Sequence, residues 1–221
     1  EEDSLARIEA QLIELYRAAR DSKPRTFVNL DMEEYRDLEL SLDSFMTVLD
    51  RSEFDDLEAG IVLQAYIPDS HAALRTLVTW ANERYARTGT GIKVRLVKGA
   101  NLAMEQVEAE IHDWESAPYP TKADVDASYK AMLEYALLNA TPGALRIGAA
   151  SHNLFEVAWA LTLRDELSAH DRLEIEMLEG MAPPQSRAVR NDAGSLLLYS
   201  PIVEESERDA SIAYLSRRLD E

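Results

Sequence analysis

The feature that most constrains the fold is a regular alternation of two apolar patterns. Segments in which apolar residues recur at every second position predict strands at 27–31, 61–66, 93–97, 145–152, 173–178 and 195–199. Longer segments with a period near 3.6 residues predict helices at 4–20, 33–49, 70–87, 101–114, 123–138, 153–167, 183–191 and 205–220. Strands that alternate with helices in this way are typical of α/β proteins with a parallel sheet.

The two faces of the predicted strands differ, and this difference separates two α/β architectures. One face is apolar in every strand, as Ile61 and Leu63 illustrate. The other face becomes polar toward the strand ends, where it carries Asp31, Gln64, Arg95, His152, Glu176 and Tyr199. A doubly wound sheet would be apolar on both faces and would have a Gly-rich turn after its first strand. Neither feature is present, so the pattern favours a parallel (β/α)8 barrel, in which such side chains meet at one rim.

The predicted barrel is incomplete. A full barrel has eight strand–helix units over about 250 residues, whereas this chain of 221 residues begins with a helix and supplies six predicted strands. We therefore expect one domain over 1–221 that lacks two strands and one helix at the front and ends in the last barrel helix. Unpaired barrel edges would destabilise such a fragment, so we expect it to be inactive alone.

Composition limits the partners. The net charge of -18 would repel nucleic acids and anionic lipid surfaces, so we expect a small-molecule partner and no nucleic acid. The absence of Cys excludes disulfides and Cys-ligated metals, and the four His residues have no metal-ligand spacing, so no metal site is expected. No apolar run approaches the ~18 residues that span a bilayer, and we expect a cytoplasmic protein.

Two strand-end residues have alternative interpretations. Arg95 precedes Gly99 on an inward face, and a buried Arg needs an anionic or strongly polar partner. It could bind a ligand, or it could form a salt bridge to Asp31 or Glu176. His152 could likewise serve a ligand, although a single His is more often a hydrogen-bonded structural group.

The last predicted helix carries a pair of adjacent cations on one polar face. Tyr214, Arg217, Arg218 and Glu221 follow one another at helical spacing. Two adjacent Arg side chains can bind a carboxylate through paired hydrogen bonds. The default alternative is that they interact with the helix dipole, a contribution of about 0.3–1 kcal/mol.

Seven segments, taken together, resemble the successive strand-end motifs of proline dehydrogenases. They occur in the family order with similar gaps and are TFVNLDMEE, VLQAY, VRLVKG, SHN, LEGM, LYSP and YLSRR. The stretch NLAMEQ at 101–106 resembles the bifunctional bacterial proline utilisation A type, in which an aldehyde dehydrogenase domain follows. The resemblance covers essentially the whole chain.

This resemblance implies a distorted barrel with FAD at the carboxyl-terminal rim. It assigns catalytic positions to Asp31, Arg95 and Tyr199. It assigns proline binding to Arg217, Arg218, Tyr214, Leu178 and Glu221, with the Arg pair holding the carboxylate. It assigns FAD contacts to Gln64, Arg95, Val97, Lys98, Gly99, Ala100, His152 and Asn153.

The implied reaction is oxidation of L-proline to Δ1-pyrroline-5-carboxylate by hydride transfer to flavin N5, the first step of proline catabolism to glutamate. Electrons would pass to a quinone, with transient contact at the inner face of the membrane. One departure is Asn101, where many family members have a Tyr near the substrate. Alternatives are a dehydrogenase for hydroxyproline or another cyclic imino acid, and a non-catalytic barrel scaffold.

Overall fold

A computed structural model describes residues 2–99 and 101–200 of the chain, so the predicted helix at 205–220 lies outside the described residues. One parallel sheet contains β1 (Asn29–Leu30), β2 (Gly60–Gln64), β3 (Ile92–Val97), β4 (Leu145–Ala150), β5 (Leu173–Leu178) and β6 (Leu197–Tyr199). Each strand pairs with the next one along the chain, in the order β1-β2-β3-β4-β5-β6. This sequential order is that of a barrel, because a doubly wound sheet reverses direction at its switch point. The six strands curl into a half-barrel, which confirms the predicted incomplete (β/α)8 barrel.

Helices alternate with the strands along the chain. They are α1 (Glu2–Asp21), α2 (Leu38–Leu49), α3 (Ser70–Thr88), α4 (Leu102–His112), α5 (Lys122–Asn139), α6 (Leu154–Glu166) and α7 (Pro183–Ala193). Short 3-10 turns occur at Tyr35–Asp37 and Ser52–Phe54. Among the described residues, no helix is both long enough and apolar enough to cross a bilayer.

One predicted helix begins later than expected. The pattern predicts a helix over 33–49, but α2 begins at Leu38. The side-chain amide of Gln64 donates hydrogen bonds to the carbonyl oxygens of Met32 and Glu33, at 2.8 and 3.0 Å. These contacts hold the preceding segment as a loop beside the end of β2.

The core lies between the apolar sheet face and the helices. In the parallel register Ile61 lies opposite Val94, and Val94 lies opposite Ile147, so apolar side chains of neighbouring strands form a continuous layer. Each of these three residues is at most 1% exposed. Helix residues packed in the same core include Leu74, Leu77, Met132 and Leu133. Because this face is buried, the other face of each strand points into the barrel.

Two kinds of polar contact fix the helices. Thr121 caps α5 by accepting a hydrogen bond from the Asp124 amide, and Asn153 caps α6 by accepting one from the Phe155 amide. Arg84 of α3 is fully buried and donates to the carbonyl oxygens of residues 49, 54 and 57 at 2.9, 2.8 and 3.0 Å. It thereby fastens the connection between α2 and β2 to α3.

Candidate active site

A cavity of about 630 Å³ lies at the carboxyl ends of the strands. Its lining includes every predicted site residue that the structure describes, namely Asp31, Gln64, Arg95, Val97, Lys98, Gly99, His152, Asn153, Leu178 and Tyr199. The remaining predicted site residues lie outside the described residues and are Ala100, Tyr214, Arg217, Arg218 and Glu221. The structure thus brings the described candidates together, while the individual roles stay predictions.

Further lining residues were missed by sequence reasoning. The segment that leads into α5 contributes Tyr119 and Thr121 to the cavity wall, and the first residue of α5 contributes Lys122. The amide of Tyr119 donates to the carbonyl of Tyr66 at 2.8 Å, which holds this segment at the rim. Its only sequence signal was the N-cap at Thr121, which predicts a helix start and says nothing about a cavity.

The structure confirms the salt-bridge interpretation of Arg95 and places this residue in the cavity wall. Its Nε lies 2.5 Å from Glu176 Oε2, and its Nη1 lies 3.5 Å from Asp31 Oδ1. Its guanidinium also lies over the Tyr199 ring, 5.2 Å from the centroid. Arg95 therefore forms the salt bridges and lines the cavity at the same time.

Asp31 lies at the mouth of the site, with its side chain about half exposed. Desolvation raises the pKa of its carboxyl above the ordinary value, and the charge of Arg95 opposes this effect. The neighbouring Asn29 donates a hydrogen bond to Asp31 at 3.2 Å. The carboxylate is thus held at the rim by a cation and an amide.

His152 presents a buried donor to this site. Its Nε2 accepts a hydrogen bond from the Leu178 amide at 2.9 Å, so in the neutral ring the proton is on Nδ1. Burial lowers the pKa of His152 below its usual value, which favours this neutral form. Nδ1 is buried and has no hydrogen-bond partner among the described residues. One nitrogen is therefore structural, and the other is available to an acceptor atom on a ligand.

Gly99 and Lys98 form the end of β3 at the cavity. Gly99 has a φ of +136°, and a Cβ there would lie 2.4 Å from the Tyr66 ring, so no other residue fits without a shift. Lys98 forms an ion pair with Asp126 and lies 3.7 Å from Glu156. The cation of Lys98 and the backbone of Gly99, which has no side chain, are thus adjacent in the cavity wall. An anionic cofactor could contact both of them.

The described residues fit a flavin dinucleotide. The cavity volume is within the range of cofactor sites, about 300–1,000 Å³. The buried Nδ1 of His152 has no partner among the described residues, and the lining includes two cations, Arg95 and Lys98, each paired with acidic side chains. In the described part of the chain, no group of His, Asp or Glu side chains could hold a metal ion.

Comparison with known families decides the classification. Residues 2–221 match the family described as proline dehydrogenase. The chain belongs to the proline dehydrogenase family. No curated protein sequence matches it.

Solved structures of proline utilization A (PutA) share this proline dehydrogenase fold. PutA from Corynebacterium freiburgense is 49% identical with a TM-score of 0.89, over 96% of this chain and 22% of that chain. PutA from Bdellovibrio bacteriovorus, inactivated by N-propargylglycine, is 34% identical with a TM-score of 0.88, over 99% and 22%. A PutA variant from Bradyrhizobium japonicum is 26% identical with a TM-score of 0.80, over 98% and 22%. The chain therefore spans about 22% of the length of these PutA chains.

Proposed function

We propose that this chain is part of a flavin-dependent proline dehydrogenase that oxidises L-proline to Δ1-pyrroline-5-carboxylate. The ring carbon beside nitrogen gives up a hydride, the nitrogen gives up a proton, and a carbon–nitrogen double bond forms. A bound FAD supplies the two-electron acceptor at its N5. The observation that carries this proposal is the convergence on one cavity of residues in or directly after each of the six strands, in a chain of this family.

The cofactor side of the proposed site uses groups from β3 and from the ends of β2 and β4. Arg95 places a cation where it favours the electron-rich, reduced form of the flavin. The Nδ1–H of His152 would donate a hydrogen bond to the cofactor, and Lys98 would offset part of the cofactor's negative charge. Gly99 would allow close approach of the backbone, and the proposal also assigns a cofactor contact to Ala100. Gln64, Val97 and Asn153 complete the wall.

The substrate side combines described and undescribed residues. Leu178 and Tyr199 line the cavity and would enclose the proline ring, with Asp31 at its mouth. The proposal assigns the proline carboxylate to Arg217 and Arg218, and further ring contacts to Tyr214 and Glu221. Holding the carboxylate at two points would fix the reacting carbon against its acceptor and remove much of the entropic barrier.

The PutA matches support a proposal about the rest of the protein and its electron acceptor. Because the chain spans about 22% of those chains, we propose a longer parent chain with an aldehyde dehydrogenase domain. Electrons would pass to a quinone during transient contact with the inner face of the membrane, from a cytoplasmic enzyme. The part described by this chain would be inactive alone, since an open half-barrel leaves strand edges unpaired.

The proposal is tested with Arg217→Met and Arg218→Met in the full-length protein. Each change should raise the proline concentration needed for half-maximal flavin reduction by about tenfold or more, because a charge-assisted pair is lost. Flavin content should stay that of the wild type. Arg187→Met, an exposed position on α7, is the matched control and should change neither quantity. Release of flavin with unchanged affinity for proline would show that the pair does not bind substrate.

The relative turnover of L-proline and 4-hydroxyproline distinguishes a proline dehydrogenase from a hydroxyproline dehydrogenase. The guanidinium of Arg95 lies over the Tyr199 ring. In the proposed site Tyr199 would lie over the proline ring and would leave little room for a hydroxyl group. Turnover of L-proline should therefore exceed that of 4-hydroxyproline in the full-length protein. The reverse order would favour a hydroxyproline dehydrogenase, and purified protein without flavin would favour a non-catalytic scaffold.

A further inference from the structure

The interior of the half-barrel contains a row of charged side chains that alternate in sign. Barrel interiors are more commonly filled by layers of branched apolar side chains. Here consecutive ionic contacts lead from the amino ends of the strands to the cavity, and the charged column consists of Glu58, Arg146, Glu174, Lys93, Glu176 and Arg95. Sequence reasoning did not select Lys93, although it shares the inward face of β3 with Arg95.

The contacts are closest in the upper half of the charged column. Lys93 pairs with Glu174 and also lies 2.6 Å from Glu176 Oε1. The second carboxylate oxygen of Glu176 lies 2.5 Å from Arg95 Nε. Lower down, Arg146 lies 2.6 Å from Glu58 and 3.9 Å from Glu174. Glu176 therefore connects the interior cation to the cation at the cavity.

The Lys93–Glu176 pair, nearer the cavity, is more deeply buried than the Arg146–Glu174 pair further from it. The side chains of Lys93 and Glu176 are 4% and 2% exposed, whereas those of Arg146 and Glu174 are 38% and 30% exposed. Charges shielded from water act over longer distances than exposed ones, because screening is weaker. The Lys93–Glu176 pair should thus influence the electrostatic potential of the cavity more than the lower residues do.

Gly148 of β4 provides the space that the upper pair occupies. It lies opposite Arg95 in the register, on the inward face. A Cβ at this position would lie 1.9 Å from Glu176 Oε1 and 3.1 Å from Lys93 Cε. The absence of a side chain at 148 is therefore a condition for the ion pair.

Glu176 also determines which edge of Arg95 faces the cavity. It takes the Nε edge of the guanidinium, and the contact of Nη1 with Asp31 is longer, at 3.5 Å. Glu176 thus fixes the Nε edge of the guanidinium, and both residues line the cavity.

We propose that Glu176 is a positioning residue for Arg95, and that the Lys93–Glu176 pair sets the reduction potential of the bound cofactor. The inference rests on the proposed flavin-dependent function. Reduction adds negative charge to a flavin, so removal of a nearby anion should favour reduction, and removal of a nearby cation should oppose it.

The test is a redox titration of the full-length, flavin-loaded protein. Glu176→Gln keeps an acceptor for Arg95 Nε but removes the negative charge, so it should shift the flavin midpoint potential to more positive values. Lys93→Met removes a cation and should shift the potential to more negative values. The double variant, in which the two lost charges cancel, should return toward the wild-type potential. Glu174→Gln is the control, and it should shift the potential in the same direction as Glu176→Gln but less, because it is more exposed and lies further from the cavity.

Opposite shifts from two neighbouring side chains would not result from general loosening of the barrel, which would move both variants alike. Equal-signed shifts, or none, would overturn the inference. One single variant can leave a buried charge unpaired and fail to fold. In that case the folded single variant still gives the effect of one charge, and its difference from the double variant gives the effect of the other. A shift of the reverse sign in either comparison overturns the proposal. A wild-type protein that binds no flavin would refute the proposed function itself, whereas flavin reduced by proline without the opposite shifts would refute this inference alone.

Discussion

Replacement of Gly148 by alanine should destabilise the barrel by forcing apart the buried ion pair. The new Cβ would lie 1.9 Å from Glu176 Oε1. To reach ordinary contact distance the carboxylate must move by about 1.5 Å. That movement would lengthen its contacts with Arg95 and Lys93, now 2.5 and 2.6 Å, to near the limit of an ion pair. Overpacking costs about 1–3 kcal/mol and loss of a buried pair about 3–5 kcal/mol, so partial disruption should cost about 2–4 kcal/mol.

Urea unfolding of the full-length protein measures this cost. Gly89→Ala is the matched control, because its φ is +74° and no described atom lies within 4 Å of the added Cβ. It should cost about 1–2 kcal/mol, from backbone strain alone. Shortening the crowding side chain with Glu176→Ala should relieve the clash, so the double variant with Gly148→Ala should lose less stability than the sum of the two single variants. Additive losses, or a Gly148→Ala cost no larger than that of Gly89→Ala, would refute the reasoning.

Three further changes test other contacts. Burial lowers the pKa of His152 below its ordinary value of 6.5, so the contribution of this residue to stability should be complete above about pH 6.5 and should be lost as the pH falls through the folded-state pKa. His152→Asn should therefore flatten the dependence of unfolding free energy on pH below about pH 6.5. An unchanged pH dependence would contradict this. Arg84→Met leaves three carbonyl oxygens without their donors and should cost more than about 3 kcal/mol in urea unfolding, whereas the half-exposed Arg87→Met should cost less than about 1 kcal/mol. Gly99→Ala combines a φ of +136° with a clash against the Tyr66 ring and should weaken flavin retention roughly tenfold, as measured by release of free flavin; unchanged retention would exclude close cofactor approach at this position.

The barrel could be predicted from the sequence because strand alternation is a local property. Residues two apart share a face wherever the strand lies in the sheet, so the apolar face around Ile61 and Val94 was visible without the register. The N-caps at Thr121 and Asn153 were predictable for the same reason, since each bonds within three residues of itself. These signals were enough to bring the described rim residues to one cavity.

The sequence could not predict contacts that depend on distant partners. The start of α2 depends on Gln64, which binds backbone carbonyls 31 and 32 residues earlier in the chain. The partner of Arg95 was left open because Glu176 is 81 residues away and meets it only through the parallel register. The position of Gly148 beneath that carboxylate follows from the same register, and no local pattern distinguishes it from a turn glycine.

The most direct test of the account is anaerobic addition of L-proline to the full-length, flavin-loaded protein, followed by the absorbance of the oxidised flavin. The account predicts that proline bleaches this absorbance and that one Δ1-pyrroline-5-carboxylate forms per flavin reduced. A bound flavin that stays oxidised at saturating proline would contradict it.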